Sequence, residues 1–179
     1  MKQKVVAKQP NSKMCMVCGI ENDRGLKASF FELENRHIYS VFEPVEPLQG
    51  YPGRLHGGVA SMILDETIGR AIMIDYGSDI WGVTIHLNMK FRKPVPLDEP
   101  IQTFGMIEKE AKRSFVGHGQ IVLADGTVAI EATGKYLKMP IGQITDFDVD
   151  HLQWRVHSSD SDPDWIDVQA VFEPKSEAN

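Results

Sequence analysis

The sequence predicts an α+β fold in which an antiparallel sheet wraps around one long central helix. Three features carry that expectation. Residues 57–75 form the long helical segment, and the apolar runs 59–64 and 71–74 leave it almost no polar face, so it must be buried on nearly every side. Val83, Ile85, Leu87, Met89 and Phe91 then alternate with Thr84, His86, Asn88, Lys90 and Arg92, the period-two pattern of a strand with one face toward a core. Extended stretches lie on both sides of the helix, and a curled sheet is the layer arrangement that buries such a helix within one domain.

In chain order, residues 1–13 are polar and aperiodic and read as a loose N-terminal tail, or at most one short strand. Residues 26–33 and 37–42 are rich in aromatic and branched side chains and are separated by Glu34-Asn35, which predicts a hairpin. Pro44, Pro47, Pro52, Gly50 and Gly53 make 43–56 a loop that leads directly into the helix. After the helix come strands over 83–92, 100–110, 114–124 and 127–137, with Asp125-Gly126 as a tight turn between the last two. Two strands, one buried helix and four strands make the hotdog arrangement, assigned to residues 1–140. Residues 141–179, rich in Asp and Ser with Trp154 and Trp165 as isolated anchors, form a C-terminal extension packed over the domain or a partner.

Composition limits the function classes. A length of 179 residues with 42% hydrophobic side chains favours one domain with a sizeable core. The formal charge of −6 supplies no global basic field for nucleic acid or an anionic membrane, so an anionic ligand would need a local group of cations. With no apolar run of membrane-spanning length and no signal-like start, the expectation is a cytoplasmic protein. The two cysteines, Cys15 and Cys18, form a CxxC, but no second pair follows and the nearest histidine, His37, lies in another predicted strand. Zinc needs four ligands, so the expectation is no metal and no cofactor.

The chemistry-bearing segment is 56–67. His56-Gly57-Gly58 places a glycine pair at the helix start, where unpaired N–H groups and the positive end of the helix dipole can receive a substrate oxygen. Such a donor aimed at developing charge contributes about 3 kcal/mol. Asp65 and Glu66 are adjacent carboxylates in a helix built for burial. Glu66 has an ion-pair partner in Arg70, four residues on. Asp65 has Gly69 and Ser61 at the corresponding positions, which leaves it as the candidate general base or nucleophile. Eight residues of helix separate Gly57 from Asp65 by about 12 Å, too far for one carbonyl to touch both. A shared site therefore takes Gly57 from one protomer and Asp65 from another, which predicts a homodimer and leaves a dimer of dimers open.

His56-Gly57-Gly58 with Asp65 nine residues after the histidine, then Thr84 and Phe91-Arg92-Lys93-Pro94-Val95, resembles the hotdog acyl-CoA thioesterases of the phenylacetate-pathway and mammalian thioesterase-superfamily type. The likeness covers roughly residues 15–137, and Cys15-Met16-Val17-Cys18-Gly19 is similar to the start of some members. It implies that the Gly57 amide polarises the thioester carbonyl, that Asp65 of the other subunit acts as base or nucleophile, that Thr84 positions water or carboxylate, and that His56 shapes the carbonyl-binding turn. Several relatives carry Asn six residues before the motif histidine, where this chain has Gly50. Gly58 and a cationic group of Lys90, Arg92 and Lys93, joined by Arg113 at a predicted hairpin, are the expected contacts to coenzyme A and its phosphates. The expected function is thus hydrolysis of acyl-CoA thioesters. The rivals are a hotdog enoyl-CoA hydratase or dehydratase using His56 and Glu66, and a non-catalytic acyl-CoA binding module.

Overall fold

In the computed structural model, which describes residues 2–145 and 154–168, the helical segment begins as α1 (Gly57–Gly69). It continues through a 3-10 turn, Arg70–Ile72, into the short α2 (Met73–Tyr76). Before it come β1 (Lys2–Lys8), β2 (Ser29–Leu33) and β3 (Ile38–Phe42). After it come β4 (Ile80–Phe91), β5 (Ile101–Glu110), β6 (Ser114–Val122), β7 (Val128–Pro140) and β8 (Trp165–Asp167). The eight strands make one antiparallel sheet in the order β4-β7-β6-β5-β3-β2-β1-β8, curled around α1 as expected.

Close approach of helix to sheet depends on bare backbone. A side chain at Gly105 would lie 2.9 Å from the Thr67 carbonyl oxygen, and one at Gly119 would lie 2.7 Å from Ile68. Glycine at these points lets Ile63, Leu64 and Ile68 reach full burial against β5 and β6. Burial all round, however, holds only for the second half of α1. Gly58 is exposed and Val59, Ser61 and Met62 are only half-buried, because nothing among the described residues covers that flank of the first turns.

Strict alternation along β4 also fails at one residue. Thr84 pairs with Tyr136 but His86 pairs with Lys135, so Ile85 is the extra residue of a bulge and stands 52% exposed. Before the bulge, Gly82 and Thr84 face the helix; after it, Leu87, Met89 and Phe91 do. The bulge is what puts a threonine on the same face as the apolar residues that follow it.

The expected loose tail is a strand. Lys2–Lys8 lies between β2 and β8, with Val5 opposite Leu33 and Gln3 opposite Ile166. Its alternation is faint because much of it is solvent-facing. The segment after it closes over the far side of the helix, where the Asn11 side-chain amide donates to the carbonyls of Cys18 and Ala28. Arg70, 5% exposed, donates to the Pro10 carbonyl and lies 4.0 Å from the centroid of Phe30. Of the expected C-terminal extension, β8 joins the same sheet and Trp154 packs on Trp81 with ring centroids 4.4 Å apart, whereas Trp165 is 54% exposed and anchors little. The rest of that extension, 146–153 and 169–179, lies outside the described residues.

Candidate active site

His56 starts the helix. Its extended backbone turns the chain out of the Pro- and Gly-rich loop, its carbonyl accepts from Val59 and Ala60, and its Nδ1 accepts from the Gly58 N–H at 2.9 Å. With Nδ1 accepting, the neutral ring carries its proton on Nε2. Gly58, expected among the substrate contacts, therefore already has its amide engaged, and what it offers a ligand is space. The Gly57 N–H has no partner among the described residues, and it points from the end of the helix that favours negative charge. A Cβ at Gly57 would lie 3.4 Å from the Phe91 ring, so the end of β4 lies over this position. Gly50 lies against the His56 ring.

Two turns further along α1, Asp65 meets the sheet. Thr84 Oγ1 donates to its Oδ1 at 2.8 Å, and the Tyr136 hydroxyl donates to the same oxygen at 3.1 Å and to the Asp65 carbonyl at 3.2 Å. Neither bond uses Oδ2. The sequence left Asp65 without a neighbour because both donors come from strands, and it missed Tyr136 altogether. Burial and the adjacent Asp65 charge push the Tyr136 hydroxyl well above the ordinary tyrosine range, so it remains a neutral donor. Its ring stacks on Phe115 with centroids 5.0 Å apart and fills the space left by Gly134, where any side chain would run into it.

Asp65 and Thr84 open on a cavity of about 360 Å³ whose apolar wall includes Met73, Trp81, Ile141 and Trp154. The lining also includes Cys15, Cys18, Glu66 and Arg70, whose guanidinium lies 4.8 Å from the centroid of Trp154. The expected Glu66–Arg70 pair forms, with both Arg70 Nε and Nη2 on Glu66 Oε1 at 2.9 and 2.8 Å.

The cationic residues are divided. Lys90 and Lys93 are exposed at the end of β4, where Arg92 is held by Glu131 at 2.7 Å. Arg113 sits at the β5–β6 hairpin beside Lys138, and Lys138 pairs with Gly82. Within one chain this puts Arg113 at the other end of β4, roughly 30 Å away along the strand. Gly57 starts α1 and Asp65 lies eight residues along it, so within one chain about 12 Å of helix rise separates them.

The Thioesterase superfamily model matches residues 52–130, from the loop before α1 into β7. Over that stretch the chain is similar to the thioesterase superfamily. The chain is 29% identical over 113 residues to the mouse (Mus musculus) acyl-coenzyme A thioesterase THEM4, a match covering 63% of this chain and 47% of that protein. A bovine (Bos taurus) protein of the same name is 28% identical over 123 residues. The chain thus spans about half the length of the curated relatives it matches. Among solved structures, the thioesterase superfamily protein RHA08564 superposes with a TM-score of 0.63 at 28% identity, over 69% of this chain and 59% of that one. The E. coli PaaI protein of the phenylacetic acid degradation operon shares the fold at 13% identity, with a TM-score of 0.57 over 64% of this chain and 80% of its own.

Proposed function

We propose that this chain hydrolyses acyl-coenzyme A thioesters as a homodimer, with the Gly57 N–H of one protomer polarising the carbonyl and Asp65 of the other activating the attack. The observation that carries this reading is that one helix holds two incomplete parts of a site: an amide without a partner among the described residues at its start and, two turns on, a carboxylate held by two neutral hydroxyls. The edge strand β4, twelve residues long with Ile85 and Phe91 exposed, is the surface on which a second copy would continue the sheet. Antiparallel pairing of two such strands about a two-fold axis brings the Gly57 end of one helix toward the Asp65 end of the other. It also brings the Arg113 hairpin of one chain to the end where Lys90 and Lys93 of its partner stand, which gathers the cations a coenzyme A phosphate needs.

In the reaction, Asp65 removes a proton from water as the oxygen attacks the thioester carbon, the developing oxyanion is held by Gly57 N–H, and the C–S bond breaks. The departing coenzyme A sulfur takes up the proton. Direct attack by Asp65, giving an acyl anhydride that water then opens, uses the same positions. Thr84 and Tyr136 fix the carboxylate in either version. No metal or cofactor takes part in these steps. The apolar wall of Met73, Trp81, Ile141 and Trp154 is where we seat the acyl group. His56 as a hydratase base is disfavoured, since its Nδ1 is engaged in the helix cap. No helix among the described residues is long and apolar enough to cross a membrane.

The test is thiol release from a panel of short, medium, long and aromatic acyl-CoAs by wild type and Asp65→Asn. The proposal requires release by wild type and its loss, by at least about 100-fold, in the variant. Undiminished release by Asp65→Asn would overturn the mechanism. Loss of enoyl absorbance without thiol would favour a hydratase, and binding without turnover would favour a binding module.

A further inference from the structure

Cys15 and Cys18 take no part in the reaction proposed above, yet the fold builds a specific environment around them. The turn that carries them aims the N–H groups of Val17 and Cys18 at Cys15 Sγ, at 3.3 and 3.5 Å. The Cys15 N–H itself is held by Ser12 Oγ at 3.0 Å, which locks the start of the turn. Glu66 arrives from the middle of α1 and brings Oε2 to 3.4 Å from Cys15 Sγ, while its Oε1 is occupied by Arg70. The two sulfurs and the carboxylate oxygen all lie within 4.8 Å of one another. Around a tetrahedral zinc with ordinary bond lengths, two thiolate sulfurs stand about 3.8 Å apart, and a thiolate and a carboxylate oxygen about 3.6 Å apart. The cluster is therefore close to ligand spacing without rearrangement.

We propose that Cys15, Cys18 and Glu66 bind a zinc-class divalent cation in the wall of the active-site cavity. The donor set is soft and borderline, two thiolates and one carboxylate, which selects zinc over magnesium or calcium. Backbone N–H groups directed at a thiolate and an arginine orienting the carboxylate are the outer contacts that hold such ligands. Charge closes as well: two thiolates, Glu66, Arg70 and a dication sum to zero, so a largely enclosed group of ionised side chains carries no net charge. The two thiol protons leave to solvent on binding. Because Cys15 and Glu66 both border the cavity, the fourth position is reached from it and is filled by water. The cation joins the N-terminal segment to α1 next to Asp65, which makes it a brace for that wall and not a participant in hydrolysis.

The test is titration of the reduced full chain with cobalt(II) alone under anaerobic conditions, followed by zinc. The expected result is a thiolate-to-cobalt charge-transfer band saturating at one ion per chain and bleached by zinc. The band disappears in Cys15→Ser and in Cys18→Ser, apparent affinity falls at least about tenfold in Glu66→Gln, and Asp65→Asn leaves the titration unchanged. Circular dichroism checks that each variant is folded; Cys15, only half-buried, is the substitution least able to disturb the core. Absence of a thiolate band in reduced wild type, an undiminished band in either cysteine variant, or full affinity in Glu66→Gln would each overturn the site. None of these readouts depends on thioester hydrolysis, so the metal site and the enzymatic reading fail separately.

Discussion

Replacing Gly57 by proline removes one N–H and little else, which isolates the amide's contribution. His56 has φ −65° and ψ 135°, the extended conformation that a residue preceding proline prefers. Gly57 is the first helical residue, where proline's missing N–H breaks no intrahelical bond and its fixed φ suits the helix. New side-chain atoms would meet the Phe91 ring near 3.4 Å, an ordinary contact with a residue that is 57% exposed. The expected change in stability is accordingly small, about 1 kcal/mol or less in either direction, since the restricted unfolded chain offsets minor strain. Catalysis should respond differently: loss of one oxyanion donor costs about 3–4 kcal/mol of transition-state stabilisation, a fall in kcat of about 100- to 1000-fold. Gly57→Ala keeps the N–H and serves as control, with kcat within several-fold of wild type. Thermal unfolding and initial-rate thiol release measure the two quantities. A Gly57→Pro enzyme that is folded and turns over within about fivefold of wild type would refute the role given to this amide.

Tyr136→Phe keeps the ring on Phe115 and deletes the donor to Asp65, so kcat should drop by about 10- to 100-fold, the equivalent of one hydrogen bond to a charged group. Thr84→Val should act in the same direction, and a double variant showing simple additivity would argue that the two hydroxyls do not share the carboxylate. Gly134→Ala drives a methyl into the Tyr136 ring; we expect about 1–3 kcal/mol lost in chemical denaturation together with lowered kcat, although residue 134 touches no substrate. Burial lowers the His37 pKa below its ordinary value, so its contribution is intact above about pH 6.5 and is lost as pH falls and the unfolded chain takes up the proton first. His37→Gln should flatten that part of the stability profile between pH 7 and 5, and an unchanged slope would contradict the assignment.

The central helix and its curled sheet were legible because a helix apolar over 59–64 and 71–74 has few ways to be buried, and because strands between turn signals announce themselves by period. His56, Gly57 and Asp65 stand out in the sequence as candidates for a local reason: each is odd for its position on one helix. What escaped notice depends on distant segments. Ile85 fits an unbroken alternation in sequence, so the bulge that turns Thr84 toward the helix leaves no trace there. Tyr136 reads as one more strand aromatic, and only pairing with Thr84 places its hydroxyl on Asp65. Lys2–Lys8 alternates too weakly to mark a strand that lies near the sheet's edge. Glu66 has a sufficient partner in Arg70 on its own helix, so nothing in sequence signals that its second oxygen meets Cys15, fifty-one residues away.

The shared site is tested most directly by a mixed dimer carrying Asp65→Asn in one chain and Gly57→Pro in the other, purified through two different tags. If one site draws on both chains, this heterodimer keeps one intact site and regains about half of wild-type turnover, although each parent homodimer is nearly inactive. A heterodimer as inactive as its parents would contradict the account, because amide and carboxylate would then have to act from the same chain.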